Sequence, residues 1–123
     1  RTDEVLAEQV LTSIAGLADD RVPEVILAYE PRWAIGGAEA ATPDYVAARH
    51  KTLRHIVSQR CGADIAERTR VIYGGSVTPE NGKALIELDD VDGLFVGRAA
   101  WQAEGFARII ALVHAAALEK ARR

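Results

Sequence analysis

Apolar residues return along the chain in two alternating rhythms. Leu6, Val10, Ile14 and Leu17 recur at helical spacing, marking one face of a helix that opens at Thr2-Asp3-Glu4 and ends between Gly16 and Asp20. A polar turn, Asp19-Asp20-Arg21 with Pro23, leads into Val25-Ile26-Leu27-Ala28-Tyr29. That run is apolar on both faces, which predicts a short, buried parallel strand. Val46, Leu53, Ile56 and Val57 give the next helix its inner side. Thr42-Pro43-Asp44 opens it with an N-cap, a proline suited to the first turn and an acid at the positive end, and Cys61-Gly62 closes it. The grammar then repeats. Arg70-Val71-Ile72-Tyr73 predicts a second strand, Thr78-Pro79-Glu80 the cap of a helix with Leu85, Ile86 and Leu88 inside, and Leu94-Phe95-Val96 a third strand after the acidic turn of Asp89, Asp90 and Asp92. The final helix carries Phe106, Ile109, Ile110, Val113 and Ala117 on one face, with Lys120, Arg122 and Arg123 at its negative end. Strands alternating with helices predict an α/β fold built on a parallel sheet with right-handed crossovers.

Each strand is followed by glycine: Gly36-Gly37 after the first, Gly74-Gly75-Ser76 after the second, Gly97 after the third. In a parallel sheet these loops leave on one side, where exposed backbone N–H groups can surround an anion. One such loop is weak evidence, because glycine also serves turn geometry alone. Glu30 adds a carboxylate at the C-terminal end of the first strand, which Pro31 stops. That position makes it a candidate acid or base; the plain alternative is a strand-end carboxylate paired with a neighbouring base.

With 49% hydrophobic and 27% charged residues among 123, the composition is that of a soluble globular protein. A net charge of −3 with scattered basic residues gives no field for nucleic acid. The apolar runs fall far short of the ~20 residues of a membrane span, and no secretory pattern opens the sequence. A single cysteine, Cys61, leaves no internal disulfide or cysteine metal cluster and reads as a small apolar helix-end residue; a reducing, cytoplasmic setting is expected. His50, His55 and His114 fall on predicted helices without ligand spacing. They are expected at the surface or its boundary, with no metal or cofactor assigned.

Ala28-Tyr29-Glu30-Pro31, Trp33-Ala34-Ile35-Gly36 and Thr42-Pro43, followed by Tyr73-Gly74-Gly75-Ser76-Val77 and Asp92-Gly93-Leu94-Phe95-Val96-Gly97, resemble the triosephosphate isomerase family. The likeness covers nearly the whole chain but only the C-terminal half of that family's domain. It implies the C-terminal part of a (β/α)₈ barrel. Such a barrel typically needs about 250 residues, so residues 1–123 are expected to form a single partial domain, in keeping with an opening at Arg1 that is already helical.

By resemblance, Glu30 is the catalytic base of an aldose–ketose isomerase needing no cofactor, and Gly36, Ser76, Gly97 and Arg98 offer backbone amides to a sugar phosphate. Pro31, Trp33, Ala34, Ile35 and Gly37 form a mobile lid that Tyr73 and Ser76 hold closed. Trp33 could be an ordinary core aromatic, though an indole between proline and a glycine loop better suits the anchor of a mobile segment; the plain roles of Tyr73, a packed strand-end residue, and Ser76, a helix cap, do not exclude the functional ones. Arg54 and Asp90 match a structural ion pair. The implied partners are the N-terminal half of the same barrel and, in the complete protein, a second copy in a homodimer. Two features depart from the family pattern. Arg98 stands where a glycine is usual, and Arg32 with Gly37-Ala38-Glu39-Ala40-Ala41 alters the lid. A glycine-only conformation would cost Arg98 roughly 1 kcal/mol or more. Gly97-Arg98-Ala99-Ala100-Trp101 resembles the family's L-erythrulose-1-phosphate isomerase branch, though Arg98 could simply cap a surface. A non-catalytic phosphate-binding half barrel is the reading from another class.

Overall fold

The computed structural model describes residues 1–36 and 39–122; Gly37 and Ala38 of the expected lid, and Arg123, lie outside the described residues. The chain runs α1 (Thr2–Ile14), β1 (Ile26–Tyr29), α2 (Pro43–Cys61), α3 (Ala63–Arg68), β2 (Arg70–Tyr73), α4 (Gly82–Ile86), β3 (Gly93–Leu94) and α5 (Ala103–Ala121). Short 3₁₀ turns occupy Asp19–Glu24, Arg32–Ala34 and Arg98–Ala100. The strands lie in the order β1-β2-β3, all parallel. Tyr29 pairs with Tyr73 and Tyr73 with Leu94, so the strands end nearly level and their loops emerge on one side.

The helix faces read from periodicity make the core. Leu6, Val10 and Ile14 of α1 and Val46, Leu53, Ile56 and Val57 of α2 are buried, with Val71, Tyr73, Leu85, Ile86 and Val91. Thr42 Oγ1 accepts from Tyr45 N at 3.2 Å, satisfying one free donor at the start of α2. Gly62 ends that helix at φ +95°, a backbone state open to glycine at little cost.

Several elements differ from expectation, each because a nearby contact outweighed local pattern. A six-residue helix, α3, precedes β2 and buries Ala66. Thr78 does not cap α4; it closes a turn with Asn81, Thr78 N donating to Asn81 Oδ1 at 2.8 Å and Asn81 N to Thr78 Oγ1 at 3.3 Å, and the helix begins one residue later. The segment 19–24 is not an open polar turn, since its 3₁₀ geometry places Val22 in the core. β3 is two residues rather than Leu94-Phe95-Val96, and Phe95 is half exposed. On α5 the buried residues are Ile109 and Ala116, while Phe106 and Ile110 face outward, because α5 packs edgewise onto α4 and the 98–100 turn.

β1 departs most in burial. Ile26 is 58% exposed although the apolar pattern predicts a strand covered on both faces. Among the described residues only β2 pairs with it, which leaves its other edge open there. Beside that edge runs a slot of about 810 Å³ between α1 and β1, lined by Val5, Gln9, Val25, Leu27, Tyr29 and Leu53 among others.

Two polar groups tie the layers together. Arg54 of α2, its side chain 12% exposed, donates to Asp90 Oδ1 (2.8 Å), Asp92 Oδ2 (2.6 Å) and the carbonyls of Ala66, Thr69 and Asp90. Burial pulls its pKa down, but the hydrogen bonds and charges of Asp92 and Asp90 more than reverse that, holding it above the ordinary arginine value. His50, expected near the surface, is fully buried. Its Nδ1 lies 3.1 Å from the Asp90 carbonyl, which can only accept, so the imidazole proton sits on Nδ1; Nε2 is buried without a partner among the described residues. The ring stands edge-on to Tyr29 at 5.8 Å and tilted against Tyr73 at 6.0 Å. Burial lowers its pKa, outweighing the Asp90 hydrogen bond.

Two outcomes are expected. The open β1 edge and the outward apolar side chains should make residues 1–123 by themselves self-associate or fold poorly in size-exclusion chromatography with light scattering; a cooperatively melting monomer would refute this. With that edge covered, His50 should make stability depend on pH. Above the unfolded-state value of about 6.5 both states are neutral and it contributes nothing; below it the unfolded chain takes a proton that the native site refuses. Stability should therefore fall as pH drops from about 6.5, and urea titrations of His50→Asn should show a shallower fall. An unchanged slope would contradict the buried neutral assignment.

Candidate active site

Glu30 leaves β1 directly and its side chain crosses the end of β2. A Cβ on Gly74 would stand 2.6 Å from Glu30 Cγ and 3.1 Å from Cδ, so the absence of a side chain at Gly74 is what lets Glu30 lie there. The Gly74 amide donates to the Tyr29 carbonyl at 2.8 Å, holding this glycine against the strand end that carries Glu30. Gly75 is constrained in the same way, since a Cβ there would come within 1.9 Å of the Tyr73 hydroxyl.

The segment after Glu30 is fastened at two points. Pro31 and Ala34 are buried, and Ser76 Oγ donates to the Ala34 carbonyl at 2.7 Å, joining the loop after β2 to the segment after β1. Trp33 is half exposed and meets the Tyr45 ring edge-on at 5.3 Å. Ile35 is also half exposed, and Gly36 adopts φ +60°. The Tyr73 hydroxyl is buried and without a partner among the described residues, and Gly37 of the expected lid lies outside them. Burial, then the nearby Tyr45 phenol, raises the Tyr73 pKa. Burial raises that of Tyr29 well beyond the usual tyrosine range, with the Tyr45 hydroxyl, 3.3 Å from its own, adding to the effect. Both stay neutral phenols.

The third loop completes the wall. Gly97 precedes the 3₁₀ turn that Arg98 begins. Arg98 does not carry the strain anticipated for a residue in a glycine position, because no non-glycine residue described has positive φ. Glu30, Ile35, Gly36, Ser76, Gly97 and Arg98 line one cleft of about 620 Å³ with the Gly74-Gly75 turn at its base. The slot beside β1 is larger, but it draws on a single strand end. The cleft gathers all three, which makes it the candidate site.

Sequence reasoning overlooked three supports. Asn81 Nδ2 donates to the Ser76 carbonyl at 2.7 Å and fixes the loop that reaches Ala34; a Thr-x-x-Asn spacing was its signal. Tyr45 bridges Tyr29 and Trp33 from the first turn of α2, and His50 lies against the last residues of both β1 and β2. No group of three or more His, Cys, Asp or Glu side chains placed to hold a metal ion occurs among the described residues. The arrangement offers a carboxylate at one wall of a cleft whose other walls are glycine loops and a guanidinium. It can hold an anion and place a base beside it.

The family model described as triosephosphate isomerase matches residues 1–113. A triosephosphate isomerase of Geotalea uraniireducens (strain Rf4) is 44% identical over 110 residues, covering 89% of this chain and 44% of that protein. One of Nitratidesulfovibrio vulgaris (strain DSM 19637 / Miyazaki F) is 45% identical over 111 residues, with 89% and 44% covered. One of Solibacter usitatus (strain Ellin6076) is 42% identical over 110 residues, again with 89% and 44% covered. The chain thus spans less than half the length of these relatives. With a parallel α/β sheet, a strand-end glutamate over a glycine turn, and a family match across 1–113, this chain belongs to the triosephosphate isomerase family.

Proposed function

We propose that residues 1–123 supply the base and the phosphate-binding loops of an aldose–ketose isomerase acting on a small sugar phosphate, glyceraldehyde 3-phosphate and dihydroxyacetone phosphate being the pair the family name suggests. The observation that carries this is the seating of Glu30 across Gly74, in the cleft where the loops after all three strands meet. The Glu30 carboxylate takes a proton from the carbon beside the substrate carbonyl, and the C–H electron pair moves toward the carbonyl oxygen to give an enediolate. The protonated Glu30 then returns the proton to the neighbouring carbon while the hydroxyl proton of the enediolate passes to the other substrate oxygen, so that the second carbonyl forms. The reaction so written is proton transfer alone and calls for no cofactor.

A carboxylate is a weak base in water, so the 31–36 segment, fastened by Ser76, would act by excluding solvent and pressing Glu30 against the C–H bond. Triosephosphate isomerase is a standard illustration of such closure. Backbone amides at Gly36, Ser76, Gly97 and Arg98 would hold the phosphate. The histidine and lysine that assist the family's chemistry belong, by resemblance, to earlier strands of the barrel. The open β1 edge and the slot beside it support a need for that preceding part, and the complete protein would be a cytoplasmic homodimer.

A second reading takes a four-carbon substrate, L-erythrulose 1-phosphate. It is favoured by Arg98 and Trp101, which stand together at the cleft's third loop with the guanidinium carbon 5.9 Å from the indole centre. The reading from another class is a half barrel that binds phosphate without catalysis.

In the complete barrel, Glu30→Gln should lower kcat by on the order of a thousandfold and abolish deuterium uptake into a triose phosphate in deuterated water. Exchange that survives the substitution would remove Glu30 from its role, and phosphate binding without any exchange in the unsubstituted protein would favour the non-catalytic reading. For substrate choice, kcat/KM for dihydroxyacetone phosphate should exceed that for L-erythrulose 1-phosphate by roughly ten- to a hundredfold, since one carbon and its hydroxyl discriminate only modestly. The reverse ratio would establish the four-carbon reading.

A further inference from the structure

Among the described residues, Arg98 is the one charged side chain besides Glu30 that lines the cleft. Arg21, Arg49, Arg54, Arg60 and Arg68 each engage a carboxylate, whereas Arg98 makes no ion pair or hydrogen bond with any described residue. Two contacts set its course. The guanidinium carbon stands 5.9 Å from the centre of the Trp101 ring, within the range of a cation–π contact. One terminal nitrogen lies 3.7 Å from the point where a Cβ on Gly36 would be, so the side chain spans from the loop after β3 to the segment after β1. A guanidinium has five donors in a planar fork that matches phosphate oxygens in pairs. Here those donors make no hydrogen bond with any described residue, on a side chain that lines the cleft.

We propose that the Arg98 side chain, stacked on Trp101 and reaching to Gly36, is a charged determinant of the phosphate site that selects a doubly charged phosphate monoester over a singly charged isostere. This rests on the sugar-phosphate reading above and goes beyond the backbone amide assigned to Arg98 there. Backbone amides present partial charges, which distinguish one negative charge from two only weakly. A full positive charge gains with each added negative charge. Trp101, 76% exposed, is then a platform that keeps the fork aimed inward.

The test uses the complete barrel and two competitive inhibitors of one shape, glycerol 3-phosphate and glycerol 3-sulfate, at a pH where the phosphate is doubly charged. Arg98→Ala should weaken the phosphate ester by on the order of ten- to a hundredfold and the sulfate ester much less, collapsing the ratio of the two inhibition constants. Added guanidinium ion should restore part of the ratio. Arg98→Lys, which keeps the charge but loses the fork, should fall between, and Trp101→Leu should reproduce part of the loss. Unchanged inhibition constants in Arg98→Ala would overturn the proposal, as would equal weakening of both esters without rescue. Glu30→Gln separates this from the isomerase reading: it should stop turnover, Arg98→Ala should still collapse the ratio in the Glu30→Gln background, and turnover that survives Glu30→Gln would sink that reading whatever Arg98 does.

Discussion

The fold depends first on Arg54. One guanidinium, rooted in α2, gathers the carboxylates of Asp90 and Asp92 and the carbonyls of Ala66 and Thr69, which belong to the end of α3 and the turns that start β2 and β3. Asp92 also accepts from the Val71 amide at 2.9 Å, so the same carboxylate that neutralises Arg54 holds the edge of β2. A charge this sheltered is favourable only while its partners remain; taking one away leaves the others desolvated and unpaired. The consequence reaches the opposite end of the sheet. Strands anchored in register at their N-terminal ends deliver Glu30, the Gly74-Gly75 turn and Gly97 at matched heights, and His50 extends the tie by linking Asp90 to Tyr29 and Tyr73.

At the functional end the controlling quantity is space. Glu30 lies over Gly74 and the Tyr73 ring over Gly75, each in volume that any Cβ would claim. These glycines do not adopt positive φ, so their role is close approach and not backbone freedom. Ser76 and Asn81 then turn that proximity into fixed geometry, one reaching the Ala34 carbonyl and the other holding Ser76 itself. The cleft is therefore assembled from hydrogen bonds between loops, while the strands below set where the loops begin.

The exposed surfaces tell a related story. Ile26, Phe95, Phe106 and Ile110 are apolar, large and outward-facing, and they flank the two ends of a sheet whose outer strand edge has no mate. Helical and strand faces of this kind are built for burial. The chain spans less than half the length of the relatives it matches.

The amino-acid sequence by itself determined the order and type of the main elements, the inner faces of α1 and α2, the exact span of β2, the Thr42 cap and the Gly62 stop, because each of these follows from local spacing and backbone preference. It also placed Glu30 and the three glycine loops on one side, since parallel alternation allows no other arrangement. Tertiary contact decided the rest. Whether a helical histidine is buried depends on which strand ends arrive beside it, and His50 lies under Tyr29 and Tyr73, residues 21 and 23 positions away. The start of α4 moved because Thr78 found Asn81, a local partner that competed with the cap. The apolar face expected of α5 was split, with Phe106 and Ile110 outside, because periodicity marks an apolar stripe without saying which part meets a neighbour. The direction of the Arg98 side chain was likewise settled only by where folding set Trp101 and Gly36, groups that no pattern along the chain brings together.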